Sequence, residues 1–172
     1  ARDVQAVEVE AGKPGRHRRE HLRQTVEMAV AVVEIVNDAD IVGASFATKE
    51  GEAWYVPFPE GKEQATAILL EFAPLWNDTT KTIVGQNLKY DIGILANYGL
   101  LLNGRLYDTM LAHYLVQPDM RHGMDLLAET YLGYRTVSIT ELIGKKGKGQ
   151  GNMRDVPVEQ IKDYAAEDAD IT

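Results

Sequence analysis

Hydrophobic positions along the chain follow two spacings, one typical of strands and one typical of helices. Residues 29–36, Ala-Val-Ala-Val-Val-Glu-Ile-Val, are almost continuously apolar and rich in β-branched side chains, which predicts a central strand buried on both faces. Residues 62–75 carry their apolar side chains at helical spacing, which predicts an amphipathic helix. Segments of the two kinds alternate without an internal repeat or a linker. The pattern therefore predicts one α/β domain with a mixed sheet over residues 1–172.

Turn residues and shorter apolar runs predict the remaining elements. Residues 41–48 and 53–57 flank Lys49-Glu-Gly-Glu52 and are expected to form a hairpin. Asn87 is expected to cap a helix by accepting a hydrogen bond from a free backbone N–H. Asp108 is expected to cap another helix, with a third site carboxylate as the alternative. The other predicted strands are 4–9, 82–84 and 105–107, and the other predicted helices are 19–28, 87–98, 109–116, 124–132, 140–143 and one from Pro157 onward.

The composition limits the classes of function. Hydrophobic residues make up 45% of the 172 residues, enough for a full core. The absence of cysteine excludes disulfides and thiolate metal sites, and fits a reducing cytoplasm. The sequence shows no basic-then-apolar leader and no apolar run near about 18 residues, so we expect a cytoplasmic protein without a membrane partner. His113 and His122 are expected to be hydrogen-bonded histidines near helix ends and not metal ligands.

The overall charge bears on nucleic-acid binding. A net charge of −8 is unfavourable for a protein that binds phosphates over a broad surface, because that affinity comes mainly from Lys and Arg. The sequence nevertheless contains two local basic clusters, 12–19 and 144–151. For 12–19 a solvated helix start is preferred over a contact with nucleic acid, whereas for 144–151 a mobile lid on the DNA backbone and a solvated loop are both open.

Two aspartates are candidate site residues. Asp91 falls one turn into the helix after strand 82–84, where an open α/β sheet presents its ligand crevice. Asp168 lies four residues after Tyr164 on the last predicted helix, so the phenol and the carboxylate share one helix face. We expect these two helices to meet, with Asp91 and Asp168 facing each other across a nucleic-acid cleft.

Four stretches of sequence carry a resemblance to a known family. They are Val-Gly-Gln-Asn-Leu-Lys-Tyr-Asp (84–91), Tyr-Asp-Thr-Met-Leu-Ala-His-Tyr-Leu (107–115), Met-Asp-Leu-Leu-Ala-Glu (124–129) and Tyr-Ala-Ala-Glu-Asp-Ala-Asp (164–170). In order and spacing they resemble the 3′–5′ proofreading exonuclease domain of bacterial DNA polymerase I, over nearly all of residues 40–172. The resemblance implies a ribonuclease-H-like mixed β-sheet flanked by helices. Ribonuclease D shares the catalytic plan, but the first two stretches are closer to the polymerase branch.

The resemblance also implies a two-metal hydrolytic site. Such a site holds two Mg²⁺ or Mn²⁺ ions about 3.5–4 Å apart, which activate a water and neutralise the developing oxyanion. In the family four carboxylates hold the ions: an Asp-x-Glu pair on the central strand and two helix aspartates, which match Asp91 and Asp168. Tyr164 matches a tyrosine that orients the attacking water. Surface carboxylates are the alternative for the aspartates, and a packed ring is the alternative for Tyr164.

Substrate contacts follow from the same resemblance. Asn87 and Tyr90 match residues near the terminal nucleotide, and Arg121 matches an arginine on the DNA backbone. Ile139 matches an apolar residue that packs on a terminal base. A solvated arginine and a core isoleucine are the alternatives for Arg121 and Ile139.

The central strand departs from the family pattern. The family has Phe-Asp-Thr-Glu-Thr there, whereas residues 32–36 read Val-Val-Glu-Ile-Val. One alignment puts Val33 and Ile35 at the two acidic positions; the neighbouring one puts Val32 and Glu34 there and leaves Glu34 as the one remaining catalytic acid. Valine cannot ligate a metal, and two carboxylates left without the bridging acid repel each other. We therefore expect metal binding that is weak or absent, and impaired hydrolysis.

Three functions follow, in order of preference. The first is the exonuclease domain of DNA polymerase I, part of a longer chain, which binds the single-stranded 3′ end of DNA for proofreading with hydrolysis reduced or lost. The second is a non-catalytic structural or DNA-binding module that braces the polymerase domain of the same parent chain. The third is a ribonuclease-D-like RNA exonuclease, which the missing helical RNA-binding domain and the polymerase-like sequence disfavour.

Overall fold

Six strands form one mixed β-sheet in the part of the chain that the structure describes. The structure is a computed structural model and describes residues 7–10, 25–32 and 40–172. The strands are β1 Val7–Glu10, β2 Thr25–Val32, β3 Ile41–Lys49, β4 Glu52–Pro57, β5 Thr82–Gly85 and β6 Arg105–Asp108. They lie in the order β1-β4-β3-β2-β5-β6, so β2 occupies an interior position.

The sheet changes from antiparallel to parallel pairing at β2. The pairs β1–β4, β4–β3 and β3–β2 are antiparallel, whereas β2–β5 and β5–β6 are parallel. On one side of β2, Ala29 pairs with Ser45, and on the other side Glu27 pairs with Val84. Because parallel strands end at the same edge, the segments that follow β5 and β6 leave the sheet at the edge where β2 also ends.

Seven helices connect or cover these strands in the described residues. They are α1 Lys62–Glu71, α2 Ala73–Trp76, α3 Leu88–Asn97, α4 Thr109–Val116, α5 Met124–Leu127, α6 Ile139–Ile143 and α7 Val158–Ile171. A π-helical turn, Ala128–Leu132, extends α5, and a 3₁₀ turn, Met153–Asp155, precedes α7. None of these helices combines the length and the apolar character needed to cross a bilayer.

Helices cover both faces of the sheet. Phe46 and Ala47 are consecutive in β3, so their side chains point to opposite faces. Phe46 belongs to the larger core, which α1, α2 and α3 complete, whereas Ala47 packs with Ala166 and Ala169 of α7. The two helices that carry the candidate aspartates, α3 and α7, therefore lie on opposite faces.

Aromatic side chains fill the core on the α1–α3 face. The Phe46 ring stacks on Phe72 with 5.1 Å between ring centroids, and Trp76 lies 5.9 Å from Phe46. Trp76 is fully buried, and its indole Nε1–H donates to the backbone carbonyl of Leu69 at 3.0 Å. A buried indole with its polar atom satisfied contributes its full apolar area to stability.

Packing on the α7 face depends on a glycine in β3. A Cβ built on Gly43 would lie 2.2 Å from the Tyr55 hydroxyl oxygen, so only glycine leaves room for that ring. Tyr55 is fully buried and packs with Ile161 and Ala165 of α7. This close approach brings the first half of α7 onto β3 and β4.

Most of the predicted elements are confirmed, and two predictions are wrong. Residues 25–28 were expected to end a helix, but they begin β2, because residues 25–27 pair with β5 and residues 27 and 28 pair with β3. The single helix over 62–75 is split at Phe72, since Pro74 stands at the start of α2 and cannot donate a backbone hydrogen bond to the preceding turn. Predicted segments over 4–6, 19–24 and 33–36 lie outside the described residues.

Candidate functional site

The first turn of α3 carries the first candidate aspartate. β5 ends at Gly85, and Asn87 adopts a left-handed conformation (φ 63°) that turns the chain into α3. Asp91 follows one turn later and is buried, with 6% of its surface exposed. Asn87 occupies the cap position, but its side chain makes no capping hydrogen bond, so the prediction of an Asn87 side-chain cap is wrong.

The missing cap of α3 is supplied by Asp108. Its carboxylate accepts hydrogen bonds from the backbone N–H groups of Asn87 at 3.1 Å and Leu88 at 2.9 Å. The same carboxylate accepts from Met110 at 2.9 Å and Leu111 at 3.2 Å, at the start of α4. The prediction that Asp108 is the N-cap of α4 is confirmed. Because Asp108 also caps α3, the Asn87 side chain is not needed as a cap and Asn87 can adopt the left-handed turn conformation.

The second candidate aspartate is linked to the candidate tyrosine on α7. The Tyr164 hydroxyl and the Asp168 carboxyl are hydrogen-bonded at the i, i+4 spacing. Burial raises the pKa of Asp168 from 3.8 to about 7; the hydrogen bond from Tyr164 lowers it, while the nearby carboxylates of Glu167 and Asp125 raise it. Burial and the Asp168 carboxylate also raise the pKa of Tyr164. A buried carboxyl with other carboxylates nearby binds a cation or a proton more readily than a solvated one.

Glu167 is a buried carboxylate that sequence reasoning missed. It accepts a hydrogen bond from the Tyr134 hydroxyl at 2.7 Å and another from the backbone N–H of Val137 at 2.7 Å. The sequence gives one signal for it, the run Ala-Ala-Glu-Asp-Ala. The small alanines predict that this part of the helix packs closely against other elements, and a glutamate buried there needs hydrogen-bond partners. Those partners lie about 30 residues away, so the pairing itself was not predictable.

The predicted substrate contacts differ in exposure. Tyr90 is half-buried and packs against the core on the α1–α3 face. Arg121 is exposed, as both the DNA contact and the solvated arginine require. Ile139 is the first residue of α6 and 41% exposed, so the alternative of a core isoleucine is wrong.

The two histidines are hydrogen-bonded, as expected. His113 Nδ1 lies 2.7 Å from His122 Nδ1, and His113 Nε2 lies 3.0 Å from the Tyr131 hydroxyl. The Gln86 side-chain amide donates to the His122 carbonyl at 2.7 Å. These contacts join α4 to the segment that carries Arg121.

The carboxylates of the described residues do not complete a two-ion site. In the ranges that the structure describes, no group of three or more Asp, Glu or His side chains comes close enough to hold a metal. Asp91 and Asp168 supply the oxygen ligands that hard cations prefer, but a two-ion site needs further carboxylates. Because α3 and α7 cover opposite faces, the two aspartates can share a ligand only at the edge of the sheet. Their convergence stays a prediction, and Val33, Glu34 and Ile35 lie outside the described residues.

Comparison with known proteins decides the family. The family model of a 3′–5′ exonuclease matches residues 34–172. The chain belongs to this exonuclease family. It is 44% identical over 144 residues to DNA polymerase I of Pseudomonas aeruginosa and 34% identical over 137 residues to that of Borreliella burgdorferi. Each match covers 78% of the chain but only 16% and 14% of the relative, so the exonuclease domain spans a small part of these polymerases.

Solved structures confirm the fold of the exonuclease domain. It is similar to Brucella melitensis NrnC, with a TM-score of 0.66 and 17% identity over 86% of this chain and 67% of that one. It is also similar to a structure of the POL domain of Pol1 from M. smegmatis with DNA primer-template and dNTP, with a TM-score of 0.54 and 27% identity over 66% of this chain and 20% of that one. The prediction of an α/β, ribonuclease-H-like fold is confirmed.

Proposed function

We propose that this exonuclease domain binds the single-stranded 3′ end of DNA within a DNA polymerase I chain, and that its hydrolytic activity is reduced or lost. The observation that carries the proposal is the composition of residues 29–36, which contain one acid, Glu34, where the family has an Asp-x-Glu pair. An exonuclease without the complete pair keeps its substrate contacts but holds the bridging ion weakly or not at all.

The register of β2 offers a third location for the acidic pair, besides the two considered from sequence. Ala29 and Ala31 pair with Ser45 and Gly43, in the part of β3 that α7 covers. The parallel pairing of β2 with β5 puts Glu27 level with Val84, so residues 29 and 31 extend beyond the end of β5, where α3 begins. α7 packs against β2, and α3 begins just beyond the end of the neighbouring strand β5. This level of β2 holds alanines, so no alignment supplies two acids.

The substrate contacts proposed for DNA remain available on the surface. Arg121 is exposed for a backbone phosphate, and Ile139 is exposed for a terminal base. The lysines Lys145, Lys146 and Lys148 are exposed on the loop between α6 and α7 and add local positive charge to an acidic chain. Local cations of this kind support contact with a strand end more than with a long duplex.

A single assay tests both parts of the proposal. The protein is incubated with a 5′-labelled single strand in the presence of Mg²⁺ or Mn²⁺, beside an Asp168→Ala variant, and binding and shortening are followed separately. We expect the strand to bind and to be shortened slowly or not at all. Rapid metal-dependent shortening that the Asp168→Ala variant lacks would contradict the reduced or lost hydrolysis, and failure to bind would contradict the DNA-binding role.

A second candidate is a structural module that braces the polymerase. It is favoured by the apolar surface of α4, where Leu111, Leu115 and Val116 are 59%, 82% and 74% exposed. An exposed apolar patch of this kind typically marks an interface. If bracing is the main role, Leu115→Ser with Val116→Ser lowers the melting temperature of the parent polymerase and leaves that of the isolated domain unchanged. An equal change in both proteins would contradict the bracing role.

A further inference from the structure

A short segment between the π-helical turn and α6 is held to α7 by one side chain. Tyr134 donates its hydroxyl hydrogen bond to Glu167 Oε1, and Val137 donates its backbone N–H to Glu167 Oε2, each at 2.7 Å. Glu167 is buried, with 9% of its surface exposed. Both carboxylate oxygens are engaged with the 134–137 segment. Such charge-assisted hydrogen bonds are among the stronger polar contacts in proteins.

The 134–137 segment also makes a contact with α5. Thr136 donates its hydroxyl hydrogen bond to Asp125 Oδ1 at 3.0 Å, and this bond is exposed to solvent. The buried Glu167 contacts therefore dominate the placement of the segment, because solvent competes with the exposed one.

The segment leads directly into the exposed isoleucine at the start of α6. Ser138 follows Val137 and caps α6, where its hydroxyl accepts from the backbone N–H of Thr140 at 3.3 Å. Ile139 is the first residue of that helix and lies two residues after the Val137 amide that Glu167 binds. The position of Ile139 relative to α7 is thus set through Glu167.

We propose that Glu167 is a positioning residue that fixes Ile139 relative to Tyr164 and Asp168, so that Ile139 can pack on the terminal base of a single strand. The inference rests on the proposed DNA-binding function. Glu167 acts through the 134–137 segment, to which both of its carboxylate oxygens are hydrogen-bonded.

Two substitutions of Glu167 separate positioning from charge. In Glu167→Gln the amide oxygen can accept from Val137 N–H, while the amide NH₂ can donate to the Tyr134 hydroxyl oxygen, so the segment stays in place. In Glu167→Ala both partners lose their contact. A positioning role is therefore rescued by glutamine, whereas a role of the negative charge is lost in both variants.

Binding of a 5′-fluorescein-labelled single strand, followed by anisotropy in the presence of a chelator, measures the effect without requiring hydrolysis. We expect Glu167→Ala to weaken binding about tenfold, the affinity equivalent of one charge-assisted hydrogen bond, and Glu167→Gln to stay within about twofold of the unmodified protein. In an Ile139→Ala background the Glu167→Ala effect should fall below about twofold, because the side chain being positioned is gone.

The outcomes distinguish this inference from the proposed function. Unchanged binding in Glu167→Ala, or an equal loss with and without Ile139, overturns the positioning role alone. If the unmodified protein does not bind the strand, the proposed function fails. Amide hydrogen exchange without DNA then tests whether Glu167 keeps the 134–137 segment in place. Faster exchange over residues 134–139 in Glu167→Ala, but not in Glu167→Gln, supports this role. Unchanged exchange in Glu167→Ala overturns it.

Discussion

The Oδ2 atom of Asp108 accepts a hydrogen bond from the backbone N–H of Leu88 at 2.9 Å. This contact joins the strand β6, which ends at Asp108, to the first residue of α3. The other oxygen of the same carboxylate accepts from the start of α4. One side chain thus stabilises the N-termini of two helices, and its negative charge is favourable at both.

Removal of this carboxylate is expected to destabilise the protein more than the loss of an ordinary cap. Asp108→Ala should lower the free energy of unfolding by about 2–3 kcal/mol, since each cap typically contributes about 1 kcal/mol and partly buried N–H groups lose their partner. Urea denaturation measures the change. Asp119→Ala, an exposed aspartate in the loop after α4, is the control and should stay within about 0.5 kcal/mol.

A conservative change at the same position should separate the two caps. In Asp108→Asn the retained oxygen can still accept from Met110, but an NH₂ group replaces the acceptor of the Leu88 N–H. Amide exchange should therefore become faster at Leu88 and stay slow at Met110. Equal acceleration at both amides would show that the two caps are not independent.

The raised pKa of Asp168 predicts a pH-dependent stability. Burial raises this pKa from 3.8 to about 7, so the folded protein binds the proton more tightly than the unfolded chain. The free energy of unfolding should therefore fall as pH rises from about 4 to about 7, and level off above that. The difference between the folded and unfolded pKa values of Asp168 corresponds to a decrease in the free energy of unfolding on the order of 4 kcal/mol.

Asp168→Asn isolates this contribution. The variant stays neutral, so the difference in unfolding free energy between it and the unmodified protein should grow from pH 4 to pH 7 in favour of asparagine, as measured in urea with a chelator present. Asp163→Asn, on the exposed surface of α7, serves as the matched control. A pH-independent difference for Asp168→Asn would contradict the raised pKa.

Removal of the Tyr164 hydroxyl should raise the pKa of Asp168 further. The hydrogen bond from this hydroxyl stabilises the ionised carboxyl and thereby lowers its pKa, against the effect of burial. Tyr164→Phe should therefore move the carboxyl titration of Asp168, followed by carbon NMR, to a higher pH. Tyr131→Phe, whose hydroxyl lies near His113, should leave it in place.

Restored acids test the alignment of the central strand. Ala29→Asp with Ala31→Glu should raise Mg²⁺ affinity by about tenfold or more in calorimetric titration, because α7 packs against β2 and these positions extend past β5 towards the start of α3. The matched variant, Val33→Asp with Ile35→Glu, follows the alignment drawn from sequence. A gain confined to that second variant would favour the sequence alignment, and no gain in either would contradict the proposed loss of metal ligands at the central strand.

Sequence reasoning succeeded where structure depends on neighbours along the chain. The cap at Asp108 and the helix Thr109–Val116 follow from local turn chemistry and helical spacing, and both are confirmed. The strand at 25–28 was missed because its pairing partners in β3 and β5 lie elsewhere in the sequence. The Glu167 contacts and the second role of Asp108 were missed for the same reason, since both join segments more than about 20 residues apart.

The placement of α3 and α7 on opposite faces has a consequence for assembly. A ligand that touches Asp91 and Asp168 at once has to reach around the rim of the sheet, so it can bind only when both helical layers have docked on the same strands. Binding of such a ligand would then require the complete fold, with the sheet and the helices on both of its faces in place. A ligand of this kind would stabilise the protein against unfolding of either helical layer.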